Sequence, residues 1–153
     1  MVNDGNRTVI NTGLDSFVLI DKITEAGTGY INGIKNFSNA PAYLSLESLA
    51  QLGAYHVRFI TRFERHAFLL KITSCRMPAR EVIDGRYLLY GTLIGQSESA
   101  FTYRLQAKKE NKTHIEGEFL YATVDYSSTF KREILQNHYR KVFSCLQNDI
   151  KTD

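Results

Sequence analysis

The spacing of hydrophobic and polar positions predicts two helices and a series of strands. Between 42 and 62 the apolar residues cover more than half of a helix circumference, which predicts a helix buried on most sides. A second stripe with helical spacing predicts a terminal helix over 127–147, with Ser127 or Ser128 as its N-cap. Period-two alternation and chain-breaking residues predict four strands between these helices, over 66–76, 85–95, 100–108 and 113–126.

The segment that precedes the first helix predicts a β-hairpin. Residues 16–23 form a short apolar strand, 28–37 alternate weakly, and Gly27 supplies the turn. The order is hairpin, buried helix, antiparallel meander and terminal helix, which predicts an α+β fold with a sheet wrapped around the first helix. We expect a flexible N-terminal arm over 1–13, one domain over 14–126, and a C-terminal helix and tail over 127–153.

Composition narrows the classes of function. The chain has 153 residues, 43% of them hydrophobic, which is enough for one domain with its own core. A net charge of +3 with interleaved acids and bases argues against a nucleic-acid partner. No apolar run is long enough for a membrane span, and the first residues lack the pattern of a signal peptide. Cys75 and Cys145 have no CxxC spacing, so we expect a reduced, cytoplasmic protein.

Glu47 is the strongest candidate for chemistry. A carboxylate in a helix that is buried on most sides is costly unless it lines a cavity or meets a donor. Gln51 follows one turn later on the same face, where it could orient Glu47 or donate to a bound carbonyl. Buried carboxylates with raised pKa values are the usual general acids and bases. The alternative is a structural role, in which buried Glu47 is fully hydrogen-bonded and holds the helix to the sheet. The sequence pattern does not decide between the catalytic and the structural role.

The other polar residues indicate no second site. Cys75 is predicted to be a small core residue. A set of histidines without metal-ligand spacing is predicted to lie on the surface or in strands, so we expect no metal and no cofactor: His56, His66, His114 and His138. Three arginines predict a solvated helix end, with a contact to phosphate or to an acidic carrier protein as the alternative: Arg58, Arg62 and Arg65.

The segment from Pro41 to Gln51, Pro-Ala-Tyr-Leu-Ser-Leu-Glu-Ser-Leu-Ala-Gln, resembles the central-helix signature of the hotdog-fold 3-hydroxyacyl-acyl-carrier-protein dehydratases (FabA/FabZ-like). The family's Glu-x-x-Ala-Gln core is matched fully at 47–51, and its Pro-Gly pair only at Pro41. The element order fits from about Ser16 to Asp125. The resemblance implies a hotdog fold, an antiparallel sheet around a long central helix, usually dimerised with acyl tunnels at the interface. The terminal helix is an addition to that fold.

The resemblance also implies roles for individual residues. In that family a Glu on the helix of one subunit helps the 3-hydroxyl to leave as water, while a His on a loop of the other subunit removes the α-proton. Glu47 stands at the Glu position with Gln51 as its neighbour, so both are expected to be catalytic. Substrate contacts are expected from five further residues: Gly33, Asn39, Pro41, Tyr43 and Tyr55.

One departure from the family changes the expected function. The family's His-Phe-Pro loop should fall near Gly33–Lys35, yet no histidine precedes His56 in the sequence. A two-residue proton transfer is incomplete without that imidazole. We therefore expect a dehydratase-like protein that binds or acts on 3-hydroxyacyl thioesters of acyl carrier protein or CoA, in fatty-acid or polyketide-type synthesis. It would be a homodimer, or the incomplete subunit of a heterodimer with another hotdog subunit. If it is an enzyme, dehydration is favoured over hydrolysis; the alternatives are a hotdog thioesterase using Glu47 and a non-catalytic acyl-binding hotdog.

Overall fold

The computed structural model describes residues 18–126 and 132–148. The predicted N-terminal arm, and the predicted N-caps Ser127 and Ser128, lie outside those residues. The elements follow the predicted order, and their bounds are β1 Lys22–Ala26, β2 Tyr30–Pro41, α1 Tyr43–Ile60, β3 His66–Arg76, β4 Val82–Gln96, β5 Ala100–Lys109, β6 Lys112–Val124 and α2 Arg132–Asn148.

The six strands form one antiparallel sheet in the order β1-β2-β4-β5-β6-β3. The predicted hairpin is present as β1 and β2, although its first strand begins at Lys22 rather than at residue 16. Consecutive strands from β4 to β6 pair as a meander, with Tyr103 opposite both Leu93 and Phe119. Within the described chain β3 pairs only with β6, so its other edge is open.

Helix α1 packs against five of the strands, β2 to β6, and the sheet wraps around it as predicted. The helix is buried unevenly along its length. Its C-terminal half is covered on nearly every side, with Leu52, His56 and Val57 fully buried. Its N-terminal half keeps an exposed stripe that includes Tyr43, which is 66% exposed, and Glu47. The prediction that α1 is buried on most sides is therefore right only for its C-terminal half.

Gly53 is the point of closest approach between α1 and the sheet. A Cβ atom at this position would lie 2.6 Å from Cζ of Tyr121 on β6. The Tyr121 hydroxyl donates a hydrogen bond of 2.7 Å to the carbonyl oxygen of Ala50, one turn earlier on α1. Because the tyrosine ring is anchored at its far end, only a residue without a side chain fits beneath it.

Helix α2 packs against α1 and β1 and closes one end of the core. It buries an apolar stripe of Val142, Phe143 and Leu146. The Phe143 ring stacks on Phe59 of α1 with ring centroids 5.3 Å apart and an interplanar angle of 9°. In the part of the chain that the structure describes, neither helix is long and apolar enough to cross a membrane.

Candidate active site

A cavity of about 510 Å³ lies where α1, the start of β3 and α2 meet. Its walls combine apolar, aromatic and charged side chains from these elements, with Tyr121 of β6 on one side. The polar side chains on its wall are Glu47, Gln51, Tyr55 and Arg58 of α1, His66 of β3, Tyr121 of β6, and His138 and Tyr139 of α2.

Glu47 lies exposed on α1 and lines this cavity. Its Oε1 accepts a hydrogen bond of 3.2 Å from Nε2 of Gln51. The Oε1 of Gln51 accepts in turn from the backbone N–H of Leu19, at 2.8 Å. Because a backbone N–H can only donate, this second bond fixes which end of the Gln51 amide faces Glu47. None of the ion pairs among the described residues involves Glu47.

The expectation that the helix buries Glu47 is therefore wrong. The apolar residues of α1 around Glu47 face the sheet, while the Glu47 face is open to solvent at the cavity. The argument for a general acid that rested on burial does not apply to this carboxylate. What the structure offers instead is an accessible carboxylate with a defined hydrogen-bond donor beside it.

Of the five residues expected to contact substrate, Tyr55 lines the cavity with Glu47 and Gln51. Burial raises the pKa of Tyr55 to about 12, so its phenol is neutral at physiological pH. The other four lie outside the cavity wall. Pro41 and Tyr43 are exposed near the start of α1, and the backbone N–H of Asn39, which has a φ of +45°, donates to Asp84.

Gly33, the last of the five, lies inside β2. This is the position at which the resemblance places a histidine loop, but Gly33 and Ile34 pair with both β1 and β4, and Lys35 pairs with β4. A Cβ atom on Gly33 would lie 2.7 Å from the carbonyl oxygen of Lys22 and 3.3 Å from Leu52 of α1. A side chain at Gly33 would collide with backbone, and 33–35 do not line the cavity.

Arg58 was predicted to lie in a solvated helix end, and that prediction is wrong. The residue is 8% exposed, and its Nη2 donates a 3.0 Å hydrogen bond to the carbonyl oxygen of Ala67. Its guanidinium carbon lies 3.8 Å from the centroid of the Tyr139 ring and 5.5 Å from that of Tyr55. Its Nε has no hydrogen-bond partner among the residues described. The structure thus places a buried cation in the wall of the cavity.

Two histidines also line the cavity and were not predicted to belong to a site. Burial, and secondarily the charge of Arg58, lower the pKa values of His66 and His138, so both rings favour the neutral form. His138 is 2% exposed, which contradicts the prediction of a surface or strand residue. A sequence signal existed, because 138 shares one helical stripe with the apolar positions 142 and 146. His56 is also fully buried, contrary to the same prediction.

Two further predictions concern residues away from this cavity. Cys75 is exposed on β3 and is not the small core residue that was expected. Over 18–126 and 132–148, no group of three or more His, Cys, Asp or Glu side chains could hold a metal ion.

Solved structures with a similar fold include a thioesterase, a putative thioesterase and a dehydratase heterocomplex. The thioesterase HI1161 from Haemophilus influenzae matches with a TM-score of 0.58 and 14% identity, over 67% of this chain and 77% of that chain. The putative thioesterase YhdA from Lactococcus lactis gives 0.62 and 15%, over 70% and 95%. The dehydratase heterocomplex ApeI:P from Xenorhabdus doucetiae gives 0.61 and 13%, over 77% and 89%.

This chain has the hotdog fold. The fold class predicted from the sequence is thereby confirmed, including the long central helix and the additional C-terminal helix. At these identities the structural likeness establishes the hotdog fold and nothing narrower. No family model and no curated protein matches the sequence.

Proposed function

We propose that this hotdog protein hydrolyses acyl thioesters in the cavity beside α1, with Glu47 as the catalytic carboxylate. The observation that carries the proposal is the accessible Glu47 carboxylate, held by the fixed amide of Gln51 at the edge of a cavity large enough for an acyl chain. The names of the Haemophilus and Lactococcus structures support the reaction class, since one is named a thioesterase and the other a putative thioesterase.

The reaction needs only groups of this chain and a water molecule. In its ionised form Glu47 accepts a proton from water, and the oxygen of that water attacks the thioester carbonyl carbon. The carbon–sulfur bond breaks, the sulfur leaves as a thiol with the proton from Glu47, and the free acid remains. Gln51 orients the carboxylate, and no imidazole from β2 is required.

Dehydration of 3-hydroxyacyl thioesters, the function first expected from the sequence, is the second candidate. It is favoured by the two largely neutral histidines in the cavity wall, His66 and His138, because a neutral imidazole can remove an α-proton. In this version the chain is a subunit of a heterodimer whose partner supplies the missing group, and the ApeI:P complex is a dehydratase heterocomplex of the same fold. Either reaction could use a thioester of CoA or of acyl carrier protein.

We further propose that a second hotdog subunit, identical or different, binds at the open edge of β3. Three consecutive apolar residues on this edge strand are 37–54% exposed: Phe68, Leu69 and Leu70. An open strand edge with apolar side chains is a template for pairing with another chain. Since Phe68 and Leu69 also line the cavity, a subunit docked there would contact the cavity wall.

The decisive experiment follows two products from the same reaction. The purified protein is incubated with hexanoyl-pantetheine and with 3-hydroxyhexanoyl-pantetheine, and free thiol and enoyl product are measured together. Hydrolysis gives thiol from both compounds, whereas dehydration gives enoyl product from the second compound alone. We expect thiol release that Glu47→Gln reduces by about a hundredfold or more, because an amide cannot accept the proton.

Glu64→Gln is the matched control, since Glu64 is an exposed glutamate that does not line the cavity. It should retain full activity. If the protein instead forms enoyl product in a reaction that depends on Glu47, hydrolysis is rejected and dehydration becomes the proposed function. Thiol release that Glu47→Gln leaves unchanged would contradict a catalytic role for Glu47.

A further inference from the structure

Arg58 is a buried cation whose Nε has no hydrogen-bond partner among the described residues. A guanidinium has five N–H donors, and the single hydrogen bond that Arg58 makes within the described residues goes to Ala67. No carboxylate there forms an ion pair with Arg58. A charge that is more than nine-tenths buried is costly without an anionic partner. The rings of Tyr139 and Tyr55 offset part of that cost by cation–π contact.

The unused donors belong to a side chain in the cavity wall. Arg58 lines the cavity together with Glu47 and Gln51. Its charge reaches other groups of the same wall, because it shifts the pKa values of Tyr55, His66 and His138. An anion that entered the cavity would therefore meet this cation.

Helical geometry places Arg58 in line with the proposed catalytic pair. Residues 47, 51 and 58 are separated by four and seven positions, so they share one stripe of α1. The rise of 1.5 Å per residue puts Arg58 about 10 Å beyond Gln51 and about 16 Å beyond Glu47 along the helix. The stripe runs from the exposed Glu47 to the buried Arg58, and the cavity follows it.

We propose that Arg58 binds a carboxylate at the far end of the acyl chain, so that the substrates of this site are half-thioesters of dicarboxylic acids. The inference rests on the proposed function for one point, the position of the thioester beside Glu47 and Gln51. Arginine forms paired hydrogen bonds with a carboxylate, and burial strengthens them. The site then prefers a carboxylate-ended acyl chain over a methyl-ended one, because a methyl-ended chain leaves the buried N–H donors of Arg58 without a partner.

A carboxylate on the acyl chain fits this position better than a phosphate of the thiol carrier. The carrier is too large for a cavity of about 510 Å³, so its thiol arm has to enter from the exposed end near Glu47. Its phosphates then lie outside that end. The buried end near Arg58 is left for the terminus of the acyl chain.

The test compares matched ligands that cannot be hydrolysed. Adipoyl and hexanoyl amides of pantetheine, in which nitrogen replaces the thioester sulfur, are titrated into the purified protein by calorimetry. Succinyl and suberoyl amides vary the chain length, and inorganic phosphate serves as a competitor. We expect the adipoyl amide to bind at least about tenfold more tightly than the hexanoyl amide, which has the same number of carbons.

Three variants locate the effect. Arg58→Met should abolish the preference for the dicarboxylic ligand, because methionine offers no donor to its carboxylate. Arg58→Lys should keep part of the preference, because a point charge remains without the paired donors. Arg62→Gln is the control, since Arg62 is exposed and lies outside the cavity wall, and it should keep the full preference. If Arg58→Met does not fold, the wild-type preference and Arg58→Lys decide the question.

Equal affinity of wild-type protein for the adipoyl and hexanoyl amides would overturn the inference, as would a preference that persists in Arg58→Met. Inorganic phosphate that binds through Arg58, without any preference for the dicarboxylic amides, would overturn it in favour of a phosphate site. The proposed thioesterase function and the carboxylate-binding role of Arg58 can fail independently of each other. A protein that releases no thiol from any thioester can still bind the adipoyl amide preferentially, and one that hydrolyses hexanoyl-pantetheine can still show no preference.

Discussion

The side-chain amide of Gln51 donates from Nε2 to Oε1 of Glu47 over 3.2 Å. The same amide accepts from the backbone N–H of Leu19 over 2.8 Å. It therefore connects the proposed catalytic carboxylate to a segment 32 residues earlier in the chain, just before β1. Only a side chain that donates at one end and accepts at the other can make both bonds, which explains a glutamine at this position.

Two substitutions of Gln51 distinguish the effect of its hydrogen bond to Glu47 from the effect of its hydrogen bond to Leu19. In Gln51→Glu the Leu19 N–H keeps an acceptor but Glu47 loses its donor, whereas Gln51→Leu removes both. We expect both variants to lose about tenfold or more in kcat, because each leaves Glu47 unoriented. Only Gln51→Leu should lose about 1–3 kcal/mol of unfolding free energy, since it leaves the Leu19 N–H without its partner.

Kinetics on an acyl-pantetheine thioester and urea unfolding of the same preparations check this prediction. Equal stability of the two variants would show that the bond to Leu19 contributes nothing. Full activity in Gln51→Glu would show that Glu47 works without the amide donor.

The fold was predictable because its elements are long and strongly patterned. The central helix and the strands β3 to β6 lie within three residues of their predicted bounds, and local periodicity determines such elements. Glu47 and Gln51 were predicted as site residues from their spacing within one helix and from the Glu-x-x-Ala-Gln resemblance, and their catalytic role stays a prediction. The burial of Arg58 was not predictable, because it depends on Tyr139 of α2, which is 81 positions away and has no local signal near Arg58. The exposure of Glu47 was missed for a similar reason, since periodicity does not show which side of a largely apolar helix the sheet leaves uncovered.

The close contact between Gly53 and Tyr121 predicts a loss of stability in Gly53→Ala. Alanine favours a helix over glycine by about 1 kcal/mol. However, its Cβ would overlap a Tyr121 ring that is anchored to Ala50 and packed edge-on against Tyr103. Because the ring cannot move without losing those contacts, we expect a net destabilisation of about 1–3 kcal/mol.

Gly29→Ala is the matched control, since nothing lies within 4 Å of a Cβ atom at that position. Thermal and urea unfolding of the two variants and the wild type measure the difference. Gly53→Ala that is as stable as Gly29→Ala would contradict the close approach of α1 to β6.

The open edge of β3 predicts self-association, and Leu70 tests it without altering the cavity. Leu70 is 54% exposed, lies at a β-bulge in β3 and does not line the cavity. Leu70→Glu places a charge in the proposed interface, so we expect a shift from dimer to monomer. Ile94→Glu is the control, because Ile94 is 45% exposed at a similar bulge in β4, which has a neighbouring strand on each side.

Sedimentation velocity over a range of protein concentrations measures the effect. The wild type and Ile94→Glu should sediment as dimers, and Leu70→Glu as a monomer. A monomeric wild type would rule out self-association and leave a different hotdog subunit as the candidate partner. Dissociation by Ile94→Glu would place the interface on another face of the sheet.

His56 predicts that acid destabilises the fold. The ring is fully buried between Tyr103 and Gly27, where Nε2–H donates to the Gly27 carbonyl oxygen and Nδ1 accepts from the Tyr103 hydroxyl. Burial lowers the pKa of His56 below its ordinary value of 6.5, although the hydrogen bond to Gly27 acts in the opposite direction. Below pH 6.5 the unfolded chain therefore binds a proton that the folded chain resists.

The stabilising contribution of neutral His56 is thus present above pH 6.5 and is lost as the pH falls toward its lowered folded-state pKa. His66 and His138 act in the same direction. We expect the free energy of unfolding, measured in urea, to fall between about pH 7.5 and about pH 5.5. In His56→Gln the fall should be smaller but still present, because glutamine has no titratable group and the other two histidines remain. An equal fall in the variant and the wild type would show that His56 does not resist protonation in the folded protein.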